Sequence, residues 1–284
     1  MPAGSHAFDI GSIRCTVLTD GYCSYPAEWL FANVEPALLR SALLDHRLPA
    51  DEVLTPYSCL LIETGRHVVL ADAGCGNLSV TSGAVPARLE MMGIRPKDVD
   101  TVVLSHAHPD HIGGAVADTG RPAFPNARYV MAEQEWEFWT GSQTSLRAMD
   151  VPEPVKRKTI EDARRCLHAL RFQVELLSRE TEIVPGVTVL PAPGHTPGHT
   201  ALLLSSGGEQ LLNIADAALH PLHLDHPEWR SALDVAPECA VATRRQLLSR
   251  AAADSMQLLA FHFPFPSLGR VQPGTSGGWH WSPA

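Results

Sequence analysis

Apolar and polar positions change period several times along the chain. "FDIGSIRCTVLTDG" predicts a β-hairpin, and "YSCLLIETGRHVVLADAG" a second one turning at Thr64-Gly65-Arg66. Between them "EPALLRSALLDHRL" has helical spacing, and "SGAVPARLEMMGI" predicts a helix closed by Gly93. "DVDTVVLS" and "ARYVMAEQ" are short strands. In the middle, Ile160, Ala163, Leu167, Leu170, Val174 and Leu177 recur at alternating intervals of three and four, which predicts one amphipathic helix running through Leu177. Its Lys and Arg residues are expected to form a solvated face. Strands return in "EIVPGVTVLPAPGHT" and "HTALLLSSGGEQLLNIAD", followed by a helix over "PECAVATRRQLLSRAAADS" and a strand in "MQLLAFHFPF". The Gly/Pro-rich tail "PGTSGGWHWSPA" is expected to be irregular. The pattern is α/β: one domain over residues 1–284, with two sheet layers covered by helices. No repeat is visible, and the middle helices, at about residues 133–180, are an insertion expected to cover the functional cleft.

Composition narrows the partners. The net charge is −9 and only Lys97, Lys156 and Lys158 are lysines, a balance that opposes nucleic acid and an anionic membrane surface as partners. No apolar run is long enough to span a bilayer, and "MPAGSHAFDIGSIRC" lacks the basic start and apolar stretch of a signal peptide. The six cysteines are scattered without a C-x-x-C pair. A cytoplasmic protein with reduced, structural cysteines is expected.

Chemistry concentrates in "LSHAHPDHIGG", where three histidines and an aspartate fall between His106 and His111. None of these residue types helps build a core. Extended backbone puts His106 and His108 on one side, and Pro109 then turns the chain so that Asp110 and His111 project just beyond. Imidazole with carboxylate suits zinc, and equally accommodates iron, manganese or cobalt. Three further candidates each follow an apolar run: His195 after "VTVLPAPG", Asp216 after "EQLLNIA" and His262 after "SMQLLAF". The reading is a pair of divalent ions. His106, His108 and His195 would hold one, Asp110, His111 and His262 the other, and Asp216 would bridge them.

This H-x-H-x-D-H run with its distal histidine, aspartate and histidine resembles the metallo-β-lactamase superfamily. "VVLADAGCG" with Asp72, and "PAPGHTPGHT", resemble it too, and the likeness runs from about Cys15 to about Arg270. The resemblance implies an αββα sandwich of two mixed sheets flanked by helices. "HPLHLDHPEW" and "AFHFPFPSLGRV" resemble the branch holding methyl parathion hydrolase and the quorum-quenching lactonases. The best-known acyl-homoserine-lactone lactonases carry a tyrosine three residues after the bridging aspartate. Here that position is Leu219, followed by His220, so another donor must do that work if it is done.

The implied activity is hydrolysis of a neutral, fairly apolar ester or lactone, N-acyl homoserine lactones included, by a hydroxide bridging two ions roughly 3.5–4 Å apart. Asp110 would relay the proton to the leaving group. His220 is a candidate to address the substrate oxygen, while His223 and His226 are expected at the surface. Asp72 is either a partner orienting a ligand histidine or a turn former before Gly74, and His199 is a second such partner. Trp136, Phe138, Trp139, Trp229 and Phe265 are candidates for an apolar pocket.

The near rival is an organophosphate or aryl-ester hydrolase of the methyl parathion hydrolase type; an iron-dependent oxidoreductase of the same fold is the alternative from another class. A thioesterase for an anionic glutathione conjugate is disfavoured, since no Lys/Arg cluster accompanies the ligand motifs. A metal-stabilised binding module without turnover is disfavoured because no ligand is missing. The resemblance implies a small-molecule substrate and is compatible with a homodimer. "GTSGG" matches the serine-hydrolase elbow, but its flanks lack the required strand and helix.

Overall fold

The computed structural model describes residues 3–78, 80–274 and 277–284. Two seven-stranded sheets form its frame. The first runs in chain order through β1 (Ser5–Ile10), β2 (Ile13–Pro26), β3 (Glu52–Thr64), β4 (His67–Ala71), β5 (Thr101–Val103), β6 (Arg128–Ala132) and β7 (Val174–Leu177). The second holds β8 (Thr181–Val184), β9 (Val187–Pro191), β10 (Thr200–Ser206), β11 (Glu209–Asn213), β12 (Gln257–Leu259), β13 (Leu268–Pro273) and β14 (Trp279–Pro283) in order of adjacency. Each sheet is mixed: β4 through β7 pair in parallel, as do β11 and β12, and the remaining pairings are antiparallel.

The helices are α1 (Ala27–Leu30), α2 (Pro36–Asp45), α3 (Val85–Met91), α4 (Pro109–Ile112), α5 (Glu133–Thr140), α6 (Glu153–Leu170), α7 (Leu222–Asp225) and α8 (Pro237–Ala253). Side-chain alternation explains their placement. In β3, Leu60 and Ile62 enter the core between the sheets, meeting Val189, Leu204 and Leu211. Their neighbours Cys59 and Leu61 face outward to the layer of α3 and α6, with Leu89, Ala163 and Leu167. Both faces of β3 are covered, so "SCLLIE" reads as an unbroken apolar run rather than an alternating one. On the far side, Leu190, Leu212 and Leu258 of the second sheet pack against Leu247, Leu248 and Ala251 of α8. The result is the expected αββα sandwich, and among the described residues no helix is long and apolar enough to cross a membrane.

Two local expectations fail. The middle helix stops at Leu170, and Val174–Leu177 is β7, paired in parallel with β6. A three-residue step keeps two side chains on one helix face but puts them on opposite faces of a strand. Val174 accordingly packs with the outer core and Leu177 with the inner one. The tail is not irregular throughout, because β14 pairs with β13 and buries Trp279. Thr275 and Ser276 of "GTSGG" lie outside the described residues.

Candidate metal centre

The candidate ligands sit where strands end. Asp72 follows β4, His106 to His111 follow β5, His195 follows β9, Asp216 follows β11 and His262 follows β12. Ends of parallel strands on one edge are where α/β sheets assemble sites. Pro109 is the first residue of α4, so His108 stays extended (φ −66°, ψ 150°) while Asp110 and His111 project from a helical turn.

All seven side chains come together. Three groups have ligand atoms within 4.8 Å of one another: His106 with His108 and His195, His106 with His111 and Asp216, and Asp110 with His111 and His262. Asp216 lies between the outer trios, with Oδ2 at 3.3 Å from His195 Nε2 and 3.1 Å from His262 Nε2, and Oδ1 at 3.3 Å from His111 Nε2. Asp110 Oδ2 is 3.4 Å from His262 Nε2, and its side chain is the most exposed carboxylate here, at 15%.

Hydrogen bonds set the tautomers. His111 Nδ1 donates to Asp72 Oδ2 (2.8 Å), His195 Nδ1 to Asp234 Oδ1 (2.9 Å) and His262 Nδ1 to the Pro56 carbonyl (3.0 Å). Ser105 Oγ donates to Asp72 Oδ2 (2.8 Å), leaving its lone pair for His106 Nδ1 at 3.1 Å. Protonation at Nδ1 makes Nε2 a lone pair in all four rings. Those lone pairs converge on one another and on the oxygens of Asp216. Among the described residues, His106 Nε2, His111 Nε2 and Asp216 Oδ1 are buried without a hydrogen-bond partner. His108 differs, turning Nδ1 to within 2.9 Å of His195 Nε2. Acceptors facing acceptors in a buried place demand cations between them, and this donor set fits a pair of divalent ions. The surrounding charges call for a cation at the same place. Burial disfavours a charged His111, yet Asp216, Asp72 and Asp110 outweigh it and raise its pKa well above the usual imidazole range, so a positive charge at Nε2, from a bound ion or a proton, is favoured. Burial, reinforced by His111 and His108, lowers that of His106.

The supporting residues resolve both expected and unexpected roles. Asp72 is turn former and orienter at once. It holds the left-handed conformation (φ 58°) and accepts from Ser105 N, Ser105 Oγ and His111 Nδ1. His199 donates Nδ1–H to the Ala192 carbonyl and accepts from Asp216 N through Nε2 (3.1 Å), with its pKa lowered to about 4 by burial and His195.

Sequence reading missed Glu135 and Asp234. Glu135 is fully buried in α5. Its Oε1 accepts from Ala107 N (3.0 Å) and Trp139 Nε1 (2.6 Å), its Oε2 from Thr196 Oγ1 (2.7 Å) and Gly198 N (3.0 Å). One carboxylate thus ties the loop carrying His106 and His108 to the loop carrying His195. Its only signal was a charge four residues before Trp139, on the buried side of an aromatic helix.

A cavity of about 290 Å³ opens onto His108, Asp110, His195, Asp216 and His262. Trp29, Leu30, Leu78, Met149, Val155 and Leu219 form its apolar wall, and Tyr25 and Tyr57 also line it. None of the expected pocket aromatics is in that lining. Trp139 is buried in the outer core with Trp136 and Phe138 packed around it, Trp229 packs on Phe31, and Phe265 is exposed. His220 is outside the lining as well. It is buried edge-on to Phe31, its Nδ1 accepting from Leu222 N, and burial followed by repulsion from His46 lowers its pKa to about 3. His223, expected at the surface, is fully buried and bridges Leu219 N to the Leu30 carbonyl. The basic face of α6 is only partly solvated. Lys158 and Asp162 pair at 2.6 Å on the cavity lining, and Arg164 ties α6 to the carbonyls of Trp139 and Gly141.

Two stacked sheets carrying a histidine–aspartate cluster at one edge define a metal-dependent hydrolase by class. Residues 53–254 match Lactamase_B, the metallo-beta-lactamase superfamily, and the chain belongs to it. An N-acyl homoserine lactonase of Bacillus sp is 26% identical over 200 residues, covering 61% of this chain and 70% of that protein. The structure of AidC, a dizinc quorum-quenching lactonase in complex with a product, N-hexanoyl-L-homoserine, superposes with a TM-score of 0.92 at 27% identity, covering 99% of this chain and 97% of that one. The hydrolase AbOPH of the beta lactamase superfamily follows at 0.88 and 26%, covering 100% and 98%.

Proposed function

We propose that the protein hydrolyses neutral, fairly apolar esters or lactones, N-acyl homoserine lactones included, at a pair of divalent ions of which zinc is the first candidate. His106, His108 and His195 would hold one ion, Asp110, His111 and His262 the other, and Asp216 would reach both. The observation that carries this reading is the convergence of four Nε2 lone pairs whose Nδ1 atoms are each committed to a fixed acceptor. The ions, when bound, supply Lewis acidity and a water acidic enough to act as nucleophile at neutral pH.

The chain's own residues do the rest. Asp110, the carboxylate most open to the cavity, takes the proton released on attack and returns it to the leaving oxygen. Asp72 and Asp234 hold His111 and His195 in the ligating tautomer. The wall of Trp29, Leu30, Met149 and Val155 excludes water and accepts an apolar substituent. The helical segment, which ends with α6 at Leu170, serves as the cover of the cleft, through Met149 and the α6 residues Val155, Thr159 and Lys158. Support from relatives comes from the lactonase names of the Bacillus protein and of AidC.

The test is elemental analysis of the purified protein, combined with a panel of homoserine lactones, other lactones, aryl esters and phosphotriesters, with oxygen uptake followed in parallel. Turnover of esters or lactones that depends on two bound ions is expected. Turnover of phosphotriesters alone, or oxygen uptake at an iron site, would replace this reading.

A further inference from the structure

Tyr25, near the end of β2, and Tyr57, in β3, meet at their hydroxyls, 2.9 Å apart, where both line the cavity. Their strands belong to the first sheet, and the pair lies on the side of the cavity bearing His262. The Tyr57 ring stands edge-on to the His262 ring, with centroids 5.5 Å apart. Two phenols carry two O–H donors, and their mutual hydrogen bond uses one. Among the described residues no acceptor takes the other. Thr55, the neighbouring hydroxyl on the lining, is already committed to the Val53 carbonyl. A buried polar hydrogen without a partner is uncommon, and in a cavity it addresses whatever binds there.

The surroundings restrict the chemistry of that ligand. The charges lining the cavity, ligand histidines aside, are Asp110, Asp216 and the Lys158–Asp162 pair, in which the one ammonium is already neutralised. Burial, and next the negative charge of Asp110, keep both phenols protonated. A carboxylate or phosphate oxygen placed there would find no cation among these side chains. An uncharged oxygen finds a neutral donor and an apolar wall.

We infer that Tyr57, with Tyr25 donating to it, donates a hydrogen bond to an uncharged carbonyl oxygen of the substrate. The chain Tyr25 to Tyr57 to carbonyl lets each hydroxyl donate once, and each bond polarises the next. Leu219 lines the same cavity and brings no donor, whereas the phenol pair offers a neutral donor hydrogen that no residue of the lining takes up. The inference rests on the hydrolase reading only for the class of substrate. It deepens that reading by naming the feature recognised: a neutral carbonyl flanked by an apolar chain.

The experiment is calorimetric titration of the metal-loaded protein with two uncleavable ligands, 2-hexylcyclopentanone and hexylcyclopentane, using wild type, Tyr57→Phe and Tyr25→Phe. Both variants keep the rings, so melting temperatures report whether packing is intact. Expected is a loss of about tenfold in ketone affinity for Tyr57→Phe and a smaller loss for Tyr25→Phe, with the hydrocarbon bound equally by all three. Ketone affinity unchanged in Tyr57→Phe overturns the inference. So does an equal loss for ketone and hydrocarbon, which marks a packing role. If wild type cleaves no ester or lactone yet the ketone difference holds, the hydrolase reading falls and the carbonyl subsite stands.

Discussion

Replacing Glu135 by Gln should damage a metal centre that Glu135 does not touch. The carboxylate accepts four hydrogen bonds, two per oxygen, and each oxygen serves a different loop: Oε1 takes Ala107 N, Oε2 takes Thr196 Oγ1 and Gly198 N. Glutamine keeps the shape but has one acceptor oxygen. If the NH₂ faces Ala107 N and Trp139 Nε1, both lose their acceptor; if it faces the other loop, Gly198 N loses its acceptor while Thr196 Oγ1 can turn to accept. One or two hydrogen bonds to a charged group, at about 1.5–3 kcal/mol each, are lost. Part of this is offset because a neutral amide is cheaper to bury than the carboxylate, whose pKa burial raises. The net cost is about 1–3 kcal/mol, which for a chain of this size lowers the melting temperature by roughly 2–12 °C. Both loops carry ligands, so metal affinity should fall by about tenfold to a hundredfold. Thermal melts and chelator competition on the metal-loaded protein measure the two effects. A variant that melts within 1 °C of wild type and holds its metal equally well would refute the claim that this carboxylate fixes the ligand loops.

Other perturbations follow from the same geometry. Asp110→Asn should lower kcat/KM by about 10²–10⁴ and weaken metal retention together, since one side chain serves as ligand and proton carrier; full metal content with full rate, measured by elemental analysis and kinetics, would contradict it. Asp234→Asn offers no fixed carboxylate to His195 Nδ1–H and should weaken metal binding by about tenfold or more in chelator competition, with little change in fold by circular dichroism. His220 stays neutral in the folded state to about pH 3, below its usual pKa near 6.5, so the unfolded chain binds the extra proton as pH falls between those values. That single group should remove up to about 1.4 kcal/mol of stability per pH unit. Melting curves of His220→Phe should therefore fall less steeply than wild type from pH 6.5 to 4.5; parallel slopes would remove His220 from the account.

The seven candidate ligands were legible because four of them crowd into the run from His106 to His111 after β5, and His195, Asp216 and His262 each come shortly after a strand of the second sheet, so that strands ending on one edge bring distant residues together. Asp72 was legible for the same reason, although its left-handed backbone and its three hydrogen bonds were not. Glu135 and Asp234 left no comparable trace. Glu135 stands between Glu133 and Glu137 in α5, with only Trp139 of its partners nearby in sequence, and Asp234 holds His195 from 39 residues away. The cavity walls were the least legible part. Trp136, Phe138 and Trp139 cluster in sequence, yet α5 turns them into the outer core. Tyr25, Trp29 and Tyr57 reach the cavity because β2 and β3 run on beyond the sheet core, and only the pairing of those strands shows where they end. The end of α6 was hidden by a spacing of three that helix and strand share.

Metal stoichiometry tests the central claim most directly: elemental analysis of the purified, desalted protein alongside its ester and lactone hydrolysis. Two divalent ions per chain are expected, with hydrolysis lost on chelation and restored in proportion to ions returned. A chain that never holds more than one ion, or that hydrolyses equally well without any, would contradict the account.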